Sequence, residues 1–125
     1  MSIIFSSSPS VDQIQKKLND YFPYLKIEFY AKTFVTTDGC LCNSRLNKSK
    51  YLDNLVSNRP IEVPVSGTAL QMESIFHVHF DVIVKLFRKT GNGWLDITID
   101  DKNSLFYHNS RGRDASNAIF DFELL

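Results

Sequence analysis

Cysteine is scarce in this chain: Cys40 and Cys42, one residue apart, are the only two among 125 residues. A pair that close would form a strained disulfide and could not staple a fold, so no disulfide framework is expected. An excess of charge of one sign is also missing, because 14 Lys and Arg balance 14 Asp and Glu. Binding duplex nucleic acid through its phosphates draws on a basic excess, and the chain as a whole has none. Long apolar runs are absent as well. Ile3-Ile4-Phe5 near the start lacks both the basic flank and the length of a secretory signal, and no segment approaches the length of a membrane span. The expectation is a cytoplasmic protein without membrane contact, bound cofactor or resident metal.

Aromatic residues are plentiful, with ten Phe, five Tyr and one Trp. With 43% hydrophobic residues overall, the chain has enough apolar surface to offset the entropy of ordering it. Its length suits a single domain over 1–125.

A weak internal repeat is the most informative pattern. Lys26-Ile27-Glu28-Phe29-Tyr30-Ala31-Lys32 and Ile83-Val84-Lys85-Leu86-Phe87-Arg88-Lys89 both alternate apolar with polar residues and both end in aromatic and basic residues. Each follows a stretch of helical periodicity. In the first, Val11, Ile14, Leu18 and Tyr21 or Phe22 form the apolar stripe, Ser10 is the cap and Pro23 the stop. In the second, Ser66 is the expected cap and Leu70, Ser74, Ile75 and Val78 the stripe. A shift of one residue between helix and strand is needed to align the copies. Ile3 to Phe5 and Ile61 to Val63 add a short strand before each helix, so the unit reads strand–helix–strand, twice. Thr90-Gly91-Asn92-Gly93 is a turn signal that tolerates positive φ, and it leads into an alternating strand from Trp94 to Ile99.

The polar insert, about 33–59, carries a turn at Asp38-Gly39 and a short helix expected from Lys50 to Val56 behind Ser49. The apolar tail from Asn117 to Leu125 is expected to dock on the domain. This order suits an α+β two-layer sandwich of ferredoxin-like type, with duplicated strand–helix–strand units and an extra C-terminal hairpin strand. The alternative is a helix–strand–helix–hairpin arrangement in which Ile3–Phe5 and Ile61–Val63 are not strands.

Phe87-Arg88-Lys89-Thr90-Gly91-Asn92-x-Trp94, followed by Ser104-Leu105-x-x-x-Asn109-x-x-Gly112, resembles an uncharacterised family of small bacterial proteins. That family has a Phe-Arg-Lys-Ser-Gly-Asn-x-Trp hairpin and then a short Thr-Leu-x-x-Gln-Asn segment. Leu25 to Lys32 after Phe22-Pro23 is similar too. The usual Gln is His108 here. The resemblance covers roughly half the chain and implies organisation, not an activity.

Chemistry-bearing clusters are few. His77-x-His79 would share one side of a strand and, with Cys40 and Cys42, would offer four zinc ligands. The Cys-x-Cys spacing is tighter than structural zinc sites use, and on a helix the two His diverge, so a satisfied helix end is the preferred account. Asp100-Asp101 reads as a solvated strand end, and Ser66-Gly67-Thr68 as a helix cap. A small hydrolase or metal protein using His77, His79 and Asp81 is the least favoured class.

The faces of the strands carry more. With Leu25, Ile27, Phe29, Val82, Val84, Leu86, Leu95, Ile97 and Ile99 turned toward the helices, the opposite face presents Tyr30, Phe87 and Trp94 among Lys26, Lys32, Lys85 and Lys89. Such a face suits a homodimer or another protein partner, or a covering tail. Single-stranded nucleic acid, whose bases stack on aromatics between lysines, is the alternative. Zero net charge and the lack of a Gly-aromatic RNA-binding motif favour a non-enzymatic binding or assembly module.

Overall fold

The computed structural model describes residues 1–31, 34–35, 41–42 and 45–124, with side chains over 1–31 and 45–117. Lys32, Cys40 and the Asp38-Gly39 turn lie outside the described residues. The elements are β1 (Ser2–Phe5), α1 (Val11–Tyr21), β2 (Leu25–Tyr30), β3 (Phe34–Val35), β4 (Leu41–Cys42), β5 (Ile61–Pro64), α2 (Ala69–Phe80), β6 (Ile83–Lys89), β7 (Trp94–Asp96) and α3 (Leu105–Leu124). The fold is mixed α+β. Among the described residues no helix is long and apolar enough to cross a membrane.

Among the described residues all the strand pairs are antiparallel: β1 with β5, β3 with β4, and a three-stranded sheet in the order β2-β6-β7. The strands therefore divide into separate ladders where the ferredoxin-like expectation joins them in one sheet. Edge occupancy is the reason. The free side of β2 is taken by Arg45 and Leu46, through a bridge at Tyr30 and a 2.8 Å bond from Leu46 N to Phe29 O. The free side of β6 is taken by β7 and then by Ile97 N, 2.9 Å from Leu86 O. With both edges used, β1 and β5 pair with each other.

Buried positions recur at a fixed spacing in the two halves of the chain. Buried Ile3, Phe5, Val11, Ile14, Leu18 and Phe22 match buried Ile61, Val63, Ala69, Met72, Phe76 and Phe80, every pair 58 positions apart (61 − 3). Past the helices the offset becomes 57 (82 − 25), with Leu25, Ile27 and Phe29 matching Val82, Val84 and Leu86. One residue is lost where helix meets strand. Pro23 and Tyr24 separate Phe22 from Leu25, whereas Asp81 alone separates Phe80 from Val82. Asp81 makes that shorter turn by adopting the left-handed conformation, φ 53° and ψ 45°.

Similar contacts recur in the loops. Leu52 N bonds Pro9 O at 2.8 Å, and Leu105 N bonds Gly67 O at 3.0 Å. Bridges join Ser10 to Tyr51 and Thr68 to Ser104. In the ladders, Ile4 pairs with Glu62 and Glu28 pairs with Lys85. In these two ladder pairs a residue faces the one that stands 58 or 57 positions on, the spacing of the buried sets.

Several expectations are corrected. Thr68, not Ser66, caps α2, because a bond from Gly67 N to Pro64 O closes a turn that takes up Ser66. The buried stripe of α2 is consequently Ala69, Met72, Phe76 and Phe80, and Val78 is exposed. The helix expected over Lys50–Val56 is absent: Tyr51 forms a bridge to Ser10, and the chain then runs irregularly into a bend at Leu55–Val56. Lys50 O and Lys48 O accept from Val11 N and Asp12 N, amides that the first turn of α1 leaves without intrahelical partners. The last strand stops at Asp96. Asp96 Oδ1 accepts from Thr98 N to start a turn, so Ile97 is buried while Leu95 and Ile99 stay exposed. Gly93 lies outside the left-handed region, with Thr90 Oγ1 3.7 Å from where its Cβ would stand.

The expected tail is the end of α3, which begins at Leu105 and crosses the hairpin end of the β2–β6 pair. Asn109 Oδ1 accepts from Tyr24 N at 2.8 Å. One turn on, a Cβ at Gly112 would stand 2.8 Å from Tyr24 Cβ and 3.3 Å from Lys89 O, so only glycine permits this close approach. Asn109-x-x-Gly112 is thus a docking device for α3.

Candidate functional site

The candidate site is the face of the β2-β6-β7 sheet that points away from the buried core. Alternation along the strands builds it: Leu25, Ile27 and Phe29 of β2 and Val84 and Leu86 of β6 enter the core, so Lys26, Glu28 and Tyr30 and then Ile83, Lys85, Phe87 and Lys89 emerge on the other side. Antiparallel pairing sets Lys26 opposite Phe87, Glu28 opposite Lys85 and Tyr30 opposite Ile83. β7 adds Trp94 opposite Lys89 and Asp96 opposite Phe87.

On this face the lysines lie over the rings. The Lys26 ammonium is 4.6 Å from the Trp94 ring centre and 5.1 Å from that of Phe87. Lys89 stands 5.1 Å from Trp94, and Lys85 stands 5.7 Å from Tyr30. Each falls within the range in which an ammonium is drawn to the negative face of an aromatic ring. Six of the seven residues expected on this face are therefore brought together, and Lys32 is outside the described residues. Trp94 remains 40% exposed.

Glu28 sits at the centre and is buried. It accepts a 2.9 Å bond from Tyr30 Oη, forms an ion pair with Arg45, and lies 3.6 Å from Lys26 Nζ. Burial raises its pKa, but the Tyr30 hydroxyl and the two cations outweigh burial and hold the carboxyl below its ordinary value. Burial, and then Glu28, raise the Tyr30 phenol above its ordinary value. The alternation in sequence places Glu28 on this face. Arg45 comes from the polar insert, and only the bridge to Tyr30 delivers it.

The other candidates are not assembled into a site. His77 and His79 occupy the last turn of α2, two positions apart on a helix, where side chains diverge. His77 Nδ1 is 3.2 Å from Val82 O, and His79 Nδ1 is 3.1 Å from Asn54 Oδ1. Cys42 belongs to β4, and Cys40 is outside the described residues. Among the described residues no group of three or more His, Cys, Asp or Glu is placed to hold a metal ion.

One polar cluster escapes the sequence reading. His108 is buried, with Nε2 2.6 Å from Asp100 Oδ2 and Nδ1 3.3 Å from an Arg88 guanidinium nitrogen. Arginine only donates, so Nδ1 accepts and Nε2 carries the proton toward Asp100. Asp100 also accepts from Lys102 N and from the amide groups of Asn103. Backbone and side-chain donors, led by Lys102 N, pull its carboxyl far below the ordinary range. Asp100 is thus the acceptor of a turn that ties α3 to the sheet. No signal in the sequence separates this role from a solvated strand end.

Comparison with protein-family models, with curated proteins and with solved structures finds no match to this chain.

Proposed function

We propose that this protein is a non-enzymatic binding module whose working surface is the outer face of the β2-β6-β7 sheet. The observation that carries the reading is the seating of Lys26, Lys85 and Lys89 over the rings of Tyr30, Phe87 and Trp94. Ammonium groups held against rings have part of their hydration already replaced, so covering this face with a partner costs less than covering free lysines. Trp94, still partly open on this face, is also of the residue type that contributes most to protein contacts. The matched halves support a second element of the reading: the chain is a duplicated strand–helix–strand unit, related to the ferredoxin-like order but paired about its own two-fold. The hairpin resemblance to the uncharacterised bacterial family is consistent with a shared organisation and adds no activity.

Lysine acylation footprinting tests the working surface. In cells, Lys26, Lys85 and Lys89 should react several-fold more slowly than in dilute purified protein, while exposed Lys16 reacts equally in both. Equal rates at all four lysines would remove the reading.

A further inference from the structure

We propose that Asn92, in the turn between β6 and β7, is a modification site: it loses its side-chain amide to attack by the Gly93 nitrogen, and the product reshapes the Trp94 end of the outer face. The reaction stands whether or not that face binds a partner. Asparagine is among the chemically labile residues, and three conditions open it to this step. Its side chain must be held by nothing, the following amide nitrogen must be free, and no side chain may crowd that nitrogen. Asn92 is exposed, and among the described residues neither its side chain nor Gly93 N has a hydrogen-bond partner. The turn is closed from the other side, by Thr90 N donating to Gly93 O at 2.9 Å. Gly93 carries no Cβ, and only Thr90 Oγ1, at 3.7 Å, stands near where one would be.

Every other asparagine in the chain is followed by a residue that bears a side chain. Several are restrained as well. Asn103 Nδ2 donates to Asp100 Oδ2, and Asn109 Oδ1 accepts from Tyr24 N. Asn58 is exposed, but the next amide, Arg59 N, donates to Ser57 Oγ at 3.2 Å.

In the reaction the bond from Gly93 N to Asn92 Cγ forms and the Cγ–Nδ2 bond breaks. Nδ2 leaves as ammonia, taking the proton that Gly93 N gives up. Water then opens the cyclic imide at either carbonyl. One opening leaves aspartate. The other leaves isoaspartate, whose main chain runs through Cγ and is longer by one carbon. Both place a carboxylate just before Trp94, in a chain whose formal net charge is zero. Isoaspartate also adds a backbone atom inside the turn that sets Lys89 opposite Trp94. Turn length fixes hairpin register, so the seat of Lys89 over Trp94, 5.1 Å from the ring centre, is what shifts.

Peptide mapping by mass spectrometry, after ageing the full chain in neutral and mildly alkaline buffer, tests the site. Asn92 should convert from amide to acid several-fold faster than Asn58, Asn103 or Asn109, and should yield both acids. Base removes the Gly93 amide proton, so the rate should rise with pH. Gly93→Ala should slow the conversion several-fold, because a Cβ crowds the attacking nitrogen. The emission of Trp94, the single tryptophan, should change as isoaspartate accumulates.

Conversion of Asn92 no faster than that of Asn103, or equally fast in Gly93→Ala, would overturn the site. So would conversion seen in urea but not in the folded chain, since the hairpin would then protect Asn92. Full conversion with Trp94 emission unchanged would overturn the effect on the outer face.

Discussion

Ser10 and Thr68 close the first turns of their helices with the same reciprocal pair of hydrogen bonds. Ser10 Oγ accepts from Gln13 N at 3.1 Å, and Gln13 Oε1 accepts from Ser10 N at 2.9 Å. Thr68 and Gln71 repeat this at 3.2 and 2.9 Å. Two helix-end donors are satisfied at each site. Ser10→Ala and Thr68→Ala should each lower stability by about 1 kcal/mol in denaturant titration, while Ser66→Ala stays within about 0.5 kcal/mol. A Ser66→Ala loss as large as that of Thr68→Ala would contradict the assigned cap.

Asp81 tolerates its left-handed backbone because a short polar side chain crowds that conformation least. Asp81→Asn should melt close to the wild type. Asp81→Val, branched at Cβ, should cost about 1 kcal/mol or more through backbone strain. Equal melting of both variants would show that the turn relaxes.

Two glycines should behave in opposite ways. A methyl at Gly112 collides with Tyr24 and the Lys89 carbonyl, so Gly112→Ala should push α3 off the sheet and cost about 1–3 kcal/mol. Gly93 lies outside the left-handed region and a Cβ there would meet only Thr90 Oγ1, at van der Waals distance, so Gly93→Ala should change stability by less than about 0.5 kcal/mol. Comparing the two midpoints in urea checks both expectations at once.

The lowered pKa of Asp100 makes part of the stability depend on pH. Its folded value lies below the unfolded value of about 4, so the contribution is complete above that pH and is lost as pH falls toward the folded value. Asp100→Asn should therefore melt below the wild type at pH 7, and the two curves should converge as pH drops well below about 4. A constant gap across that range would mean that the charge of Asp100 does not stabilise the fold.

Much of the central sheet was legible in sequence. Leu25, Ile27 and Phe29 alternate with polar neighbours, as do Val82, Val84 and Leu86, and period two assigns faces without any knowledge of pairing. That alternation was enough to gather Tyr30, Phe87, Trp94, Lys26, Lys85 and Lys89 on one surface. The one-residue shift between the two helix–strand segments was visible too, but its cause was not, because a left-handed Asp81 leaves no mark in composition. The α2 cap was misplaced because Ser66 and Thr68 both suit the position. Only the turn from Pro64 to Gly67 distinguishes them.

What lies within a few residues of each side chain follows from the local order of residues. That order set helix periodicity, the alternation of β2 and β6, the hairpin before Trp94 and the stop at Pro23, because each rests on local geometry. Tertiary structure alone decided which strands meet, since ladder partners are chosen by the edges left free once Arg45 and β7 have occupied the sides of β2 and β6. It also decided that Lys50–Leu52 runs extended, because the open amides of α1 need acceptors there more than a short isolated helix needs to form. The burial of His108 against Asp100 and Arg88, and of Glu28 against Arg45, has the same origin. Those contacts join segments distant in the chain, and no local pattern encodes them.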